Sequence, residues 1–267
     1  MLTLRIGVQL AALRQPLKKS LQTAAQLGAE AVEIDARHEL TPRELSTTGL
    51  RQFRKLLDDL NLKVCAVSFP TQRGYDVPDD LDARVGATKD TMQMAYQLGA
   101  SVVINQIGPV PPVPSDDTSD AERRRWQTLV EVLTDVGRFG QRCGARLAAS
   151  TGTEPGGDLA ALLSQIPDGY IAVNFDPGNL IINGFSAADS LQALGKDIAH
   201  FHVRDAVRDL ARGRGLEVQV GRGTADFPQL LAILEEHDYR GYLTIARAES
   251  ADPVSDAAQA VEYLRNL

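Results

Sequence analysis

The chain has 267 residues, 43% hydrophobic and 24% charged, with a net charge of −7; a chain of this size buries about three-quarters of its unfolded surface, and it lacks the basic excess that displaces phosphate counterions from nucleic acid. No segment reaches the ~20 apolar residues of a membrane-crossing helix, and the first residues carry Arg5 inside their apolar stretch, without the continuous apolar core and small-residue cleavage site of a signal peptide. A cytoplasmic protein with no nucleic-acid and no membrane partner is expected.

Short β-type runs alternate with helical stretches from end to end, the pattern of parallel strands joined by helical crossovers. The predicted strands are 4–10, 31–35, 63–69, 101–106, 146–150, 171–176, 198–203 and 242–246. Between them lie amphipathic helices: Leu50, Phe53, Leu56, Leu57 and Leu60 recur at three- and four-residue steps, as do Leu230, Leu231, Ile233 and Leu234, giving stripes that face the strands. Gly28, Gly99 and Gly144 stand where left-handed helix ends are expected. Eight strand–helix units in roughly 250 residues predict an α/β fold, a single (β/α)8 TIM barrel forming one domain over 1–267. Two long connections, Pro-rich 108–114 and Gly/Arg-rich 212–223, both fall on the side where barrels build their sites. Cys65 and Cys143 are read as buried free thiols.

Side chains alternate along a strand, so in a closed barrel one set meets the helices and the other fills the interior. In the sixth strand Ile171, Val173 and Phe175 suit the helical side, leaving Ala172, Asn174 and Asp176 to face inward. In the seventh, Phe201 and Val203 point outward and His200 and His202 inward. The same parity puts Ser150 and Ala246 at the ends of the fifth and eighth strands, at a height comparable to Asp176 and His202. Aspartate and neutral imidazole are donors for Mn2+, Co2+ or Zn2+, yet two protein ligands make a weak site. A buried Asp–His hydrogen-bonded pair with no metal is an equal alternative.

Three stretches carry a resemblance. They are Asn174-Phe175-Asp176-Pro177-Gly178-Asn179-Leu180, then His200-Phe201-His202-Val203-Arg204-Asp205, then Gly221-Arg222-Gly223-Thr224-Ala225-Asp226-Phe227 leading into Tyr239-Arg240-Gly241-Tyr242-Leu243-Thr244-Ile245. In order and spacing the chain resembles the xylose isomerase-like barrel superfamily of sugar and sugar-phosphate isomerases and epimerases. The resemblance implies a divalent metal held by a Glu, an Asp, a His and a second Glu from the ends of strands five to eight, polarising substrate oxygens while the glutamates move protons. Asp176 and His202 match the middle two ligands. Ser150 stands in the first glutamate slot and Ala246 in the second, and neither donor set nor charge is replaced. Loss of even outer partners typically weakens metal binding 10–100-fold. The expected cofactor is therefore none, or a weakly bound Mn2+, Co2+, Mg2+ or Zn2+ at Asp176 and His202.

Glu154 and Glu249 lie close in sequence to the vacated slots as substitute carboxylates. Arg204, Arg208, Arg212, Arg214 and Arg222 among glycines suit a phosphate or carboxylate, or form a solvated loop. Asp35 and Asn105 are expected to cap turns. Gln106 fits the family's Gln-x-Gly-x-hydrophobic-Pro turn and suits orientation of a hydroxyl-rich ligand. The pocket expected at the strand C-termini comprises Glu33, Gln106, Ser150, Glu154, Asn179, His200, Arg204, Asp205, Ala246 and Arg247, with no residue assigned a catalytic role. The expected partner is a small polyol, sugar or sugar phosphate, an anionic one included, and homo-oligomers are compatible with the sequence. Three functions stay open: a non-standard or inactive relative that binds such a ligand, an active isomerase or epimerase with a weak or rearranged metal site, and a non-catalytic scaffold.

Overall fold

A computed structural model describes residues 4–111, 113–166, 170–209, 211 and 213–267. Arg212 of the arginine-rich connection and Pro112 of the Pro-rich one lie outside the described residues. Eight parallel strands close into a barrel: β1 (Ile6–Gln9), β2 (Ala31–Asp35), β3 (Lys63–Ser68), β4 (Val102–Asn105), β5 (Arg146–Ser150), β6 (Ala172–Phe175), β7 (Ile198–Val203) and, in the eighth position, β10 (Leu243–Ile245). β10 pairs with both β7 and β1, which removes any free edge. The architecture is the α/β (β/α)8 TIM barrel that the repeats predict. Three strands span the predicted residues without change, and the rest are one to three residues shorter; β1, for example, gives way to a 3-10 turn at Leu10–Leu13.

The helices are α1 (Leu17–Gln26), α2 (Thr47–Asp59), α3 (Leu81–Gln97), α4 (Asp120–Cys143), α5 (Gly156–Leu163), α6 (Pro177–Ile182), α7 (Ala187–Leu194), α8 (Phe227–Glu236) and α9 (Pro253–Arg265). They begin where the sequence supplies acceptors for unpaired N–H groups: Ser119 and Glu122 form a reciprocal capping box on α4, and Asp176 caps α6 with Pro177 in its first turn. The Gly/Arg-rich connection adds a short antiparallel hairpin, β8 (Asp205–Val207) with β9 (Leu216–Val218), whose three-residue strands are too short to show a period in the sequence. Among the described residues no helix is long and apolar enough to cross a membrane.

Outward strand residues such as Val8, Ile34, Val173, Phe175 and Phe201 join the helices in one large apolar core, whereas Ala66, Val102, Ile104, Ala148 and Ala172 form a separate small cluster inside the barrel. Alanines of β3, β5 and β6 keep much of the inner wall lean. At Gly7 a Cβ would sit 2.7 Å from Thr244 Oγ1 and 3.3 Å from Cys65 Sγ, so even a methyl there forces Thr244 to move. That lean interior leaves room for a column of polar side chains along the axis. Cys65 is buried and Cys143 half-buried, both unpaired as thiols; burial pushes the Cys65 thiol up to about 12, so it is inert.

Candidate active site at the strand C-termini

The polar column is centred on Glu33 of β2. Its Oε2 lies 2.7 Å from His202 Nε2 and 3.2 Å from His200 Nε2, and its Oε1 accepts from Gln9 Nε2 at 2.6 Å. Glu33, His200 and His202 are buried, with one ligand atom from each within 4.8 Å of the others, a spacing that also suits a metal ion. The two imidazoles meet edge to face at 5.2 Å. Both histidines point inward from β7, as the alternation predicts.

Charge follows from these contacts. Burial alone would raise the Glu33 carboxyl, but the His202 and His200 rings beside it hold it well below the usual carboxylate range. For His202, burial disfavours the cation, and Glu33 with Asp176 outweighs it, moving the imidazole up to about 9. Burial wins for His200, which is pushed below the ordinary histidine value. At neutral pH the cluster therefore holds a Glu33 carboxylate, a His202 imidazolium and a neutral His200. The Asn174 amide lies 3.2 Å from both His202 Nδ1 and Ser150 Oγ. With Nδ2 facing those two atoms, Asn174 Oδ1 is buried without a hydrogen-bond partner; an imidazolium N–H at Nδ1 calls for the amide oxygen there instead, which leaves the amide N–H2 in the unpartnered position.

Asp176 is fully engaged. Its Oδ1 accepts the Asn179 backbone N–H at 2.8 Å, and its Oδ2 accepts from Arg204 Nη1 at 2.8 Å, with His202 Nδ1 3.5 Å away. Burial would raise this carboxyl, yet the Arg204 guanidinium and His202 hold it at about 2. Arg204 continues to Glu217 of β9 through Nε at 3.0 Å. Glu217 in turn accepts the backbone N–H groups of Ala248 and Glu249, at 3.1 and 2.9 Å, fastening the segment after β10 to the hairpin. Glu217 and Gln9 were not singled out in the sequence; Glu217 belongs to the unrecognised hairpin, and only parity with Glu33 marks Gln9.

The remaining expected residues divide in two. Ser150 and Ala246 are buried at the ends of the fifth and eighth barrel strands, Ser150 paired in register with Asn174. Asn179 donates from Nδ2 to the Thr151 carbonyl at 2.8 Å, and Gln106 is half-buried just beyond β4. Glu154 is buried beside the Thr153 hydroxyl, and burial lifts its carboxyl to about 7. Two others are turned away. Asp205 accepts the N–H groups of Ala206, Gly221, Gly223 and Ala225, all at 2.8–3.0 Å, so its carboxylate organises the connection rather than facing a ligand; a Cβ at Gly223 would collide with it. Arg247 pairs with Asp256 of α9 at 2.5 Å. Asp35 and Asn105 hold turns as expected, Asp35 accepting from the Arg37 and His38 backbones and Asn105 joining Thr71 to Tyr75.

Comparison with known proteins agrees with this architecture. An inosose dehydratase from Clostridium beijerinckii is 22% identical over 241 residues, covering 79% of each chain. A solved xylose isomerase domain protein from Planctomyces limnophilus superposes with a TM-score of 0.82 at 24% identity, over 98% of this chain and 96% of the other. A xylose isomerase-like TIM barrel protein from Mycobacterium smegmatis, in complex with magnesium, superposes with a TM-score of 0.78 at 16% identity, over 99% and 96%. Such identities speak for the fold alone. A family description, xylose isomerase-like TIM barrel, matches residues 21–267, and the chain belongs to that family.

Proposed function

We propose that this chain is a non-standard member of its family that binds a small polyol, sugar or sugar phosphate at the strand C-terminal mouth without the family's four-ligand dication. The observation that carries this reading is the Arg204–Asp176 pair in a chain with Ser150 and Ala246 in the glutamate slots. Two carboxylates are missing, a third has both oxygens occupied by an N–H and a guanidinium, and the remaining imidazole has Nε2 2.7 Å from Glu33 and Nδ1 3.2 Å from the Asn174 amide. A dication at that position would have to displace Arg204 from Asp176 and His202 from Glu33, with a hydroxyl and a methyl in place of the two glutamates, so the residues present do not fit it.

What remains suits hydroxyl-rich ligands. Ser150, Asn174, Asn179 and Gln106 supply neutral hydrogen-bonding groups, and Arg204 with His202 supplies positive charge for a carbonyl or anionic oxygen. Glu154, with its carboxyl at about 7, is the group in this set able to exchange a proton near neutrality. The named relatives, among them an inosose dehydratase, support a polyhydroxylated ring or its ketone as the ligand class. The test combines metal analysis of protein purified without added metal with calorimetric titration of myo-inositol, inosose and ketose phosphates. Substoichiometric metal together with binding that Arg204→Ala and Ser150→Ala weaken is expected. One tightly held ion per chain lost in Asp176→Ala defeats the reading.

A second reading, an active enzyme with a rearranged metal site, is favoured by one observation: Glu33, His200 and His202 form a carboxylate–diimidazole set. Metal binding that survives Asp176→Ala but not His200→Ala distinguishes it.

A further inference from the structure

A cavity of 560 Å³ opens at the opposite end of the barrel, among the N-terminal ends of β1, β3, β4, β7 and β10 and the end of α2. That volume falls within the roughly 300–1,000 Å³ of small-molecule sites. Its inner end is formed by Cys65 and His200, both buried. His200 Nε2 is sealed from solvent and makes no well-aligned hydrogen bond, although Glu33 Oε2 is 3.2 Å away. The imidazole ring lines the cavity while its Nε2 faces Glu33 inside the barrel, so the inner end of the cavity is a ring edge beside a thiol.

The rim is positive in a chain that is negative overall. Arg5, Arg54, Lys63 and Arg240 line the opening against a single lining carboxylate, Asp58. Arg54 donates to the Gln97 carbonyl and, like Lys63, has no carboxylate within ion-pair distance among the described residues. Arg5 stacks over the Tyr242 ring at 3.9 Å and donates to the Arg240 carbonyl, with its nearest carboxylate, Glu30, 3.9 Å away. Only Arg240 has a close acidic neighbour, Asp238 at 3.0 Å, on the exposed surface. Arg54 and Lys63, without acidic partners among the described residues, and Arg5 and Arg240 beside them focus a positive field at a concave mouth that draws in anions, and such a cluster suits a dianion better than a single carboxylate.

We propose that this N-terminal mouth is a second binding site, for a small phosphate-bearing molecule, with the phosphate against Arg54, Lys63 and Arg240 and the body of the ligand directed toward Cys65 and His200. Its basic rim is separate from the pocket at the strand C-termini, the two sharing only His200, which stands between the cavity and Glu33, so variants of the rim test it apart from that pocket. The probe is inorganic phosphate, titrated by calorimetry at constant ionic strength, with the His200 imidazole resonance followed in parallel. Arg54 and Lys63 are exposed, so the pair Arg54→Gln/Lys63→Gln leaves the core intact. Saturable binding to one site is expected, weakened about 10-fold or more in that double variant, since each charge-assisted contact is worth on the order of one such factor. Lys18→Gln/Lys19→Gln, which removes the same charge from exposed positions on α1 outside the cavity, leaves the affinity unchanged. The His200 resonance shifts on saturation. Absence of saturable binding through the millimolar range, or an affinity that Arg54→Gln/Lys63→Gln lowers no more than Lys18→Gln/Lys19→Gln does, overturns the proposal.

Discussion

Arg204 reaches back from the end of β7 to place its guanidinium 2.8 Å from Asp176 Oδ2 at the end of β6. The pair is mostly buried, and Arg204 also holds Glu217 at 3.0 Å, so the guanidinium neutralises two carboxylates at once. Removing it strands both. Arg204→Ala is expected to lower the free energy of unfolding by about 3–5 kcal/mol, the usual cost of an orphaned buried charge, as read from urea denaturation. A change below about 1 kcal/mol, the range of surface pairs, means that solvent already screens this contact.

The same pair governs what restoring the carboxylates does. Ser150→Glu with Ala246→Glu rebuilds the four-ligand set on paper, but Asp176 still faces Arg204. Adding Arg204→Ala to those two changes frees the Asp176 oxygen, so the triple variant is expected to bind Mn2+ at least about 10-fold more tightly than the double, the scale on which outer partners tune a site. Calorimetric Mn2+ titration of the two proteins checks this. Equal affinities remove Arg204 from the account of the site.

How much of this was legible in the sequence differs between wall and contents. The barrel was readable because its signals are local: strand and helix runs alternate eight times, several helices end on glycine, and the predicted strands fall within three residues of those observed. Parity alone put His200, His202, Asn174 and Asp176 on the inner face. Their partners were not readable. Glu33 is 169 residues from His202, and closure of the barrel, which no local pattern encodes, brings them to 2.7 Å. Asp205 looked like a ligand-facing acid because its use by Gly221, Gly223 and Ala225 depends on the path of a loop. The hairpin that carries Glu217 is three residues per strand, too short for periodicity to register.

Asp205 offers a direct test of that loop. Its carboxylate accepts four backbone N–H groups, and Asp205→Asn turns an amide N–H2 toward at least one of them. A loss of about 1–3 kcal/mol is expected for the unsatisfied donors, with faster proteolysis in 208–223 than elsewhere. Unchanged cleavage there shows that the loop holds its path without the carboxylate.

Glu154 sets a pH dependence of opposite sign to Asp176. Its folded value of about 7 lies above that of an exposed glutamate, so the protonated form is favoured in the folded chain; this stability is fully present below about pH 4.5 and is lost as pH rises through 7. Asp176, held at about 2, contributes stability above about pH 4 that disappears as pH falls toward 2. Glu39, also raised to about 7 by burial, acts in the same window as Glu154. Glu154→Gln should therefore flatten, without abolishing, the decline in unfolding free energy between about pH 4.5 and 7. A variant whose pH profile parallels the wild type shows that Glu154 titrates as a solvated group.

Glu33 and His202 give the last and sharpest dependence. The imidazole, raised to about 9 by Glu33 and Asp176 against the cost of burial, contributes stability that is complete below its unfolded value near 6.5 and lost as pH rises through 9. Glu33→Gln keeps the shape but removes the charge 2.7 Å from His202 Nε2, leaving burial to push the ring down. The destabilisation is expected to be about 3 kcal/mol or more near pH 6, where both charges are present, and to shrink above pH 9, where the wild-type pair has lost its proton. In parallel, the His202 carbon resonances, protonated up to about pH 9 in the wild type, should titrate at a lower pH in Glu33→Gln. If they titrate at the same pH in both proteins, the proton on His202 is held by Asp176 and Asn174 alone.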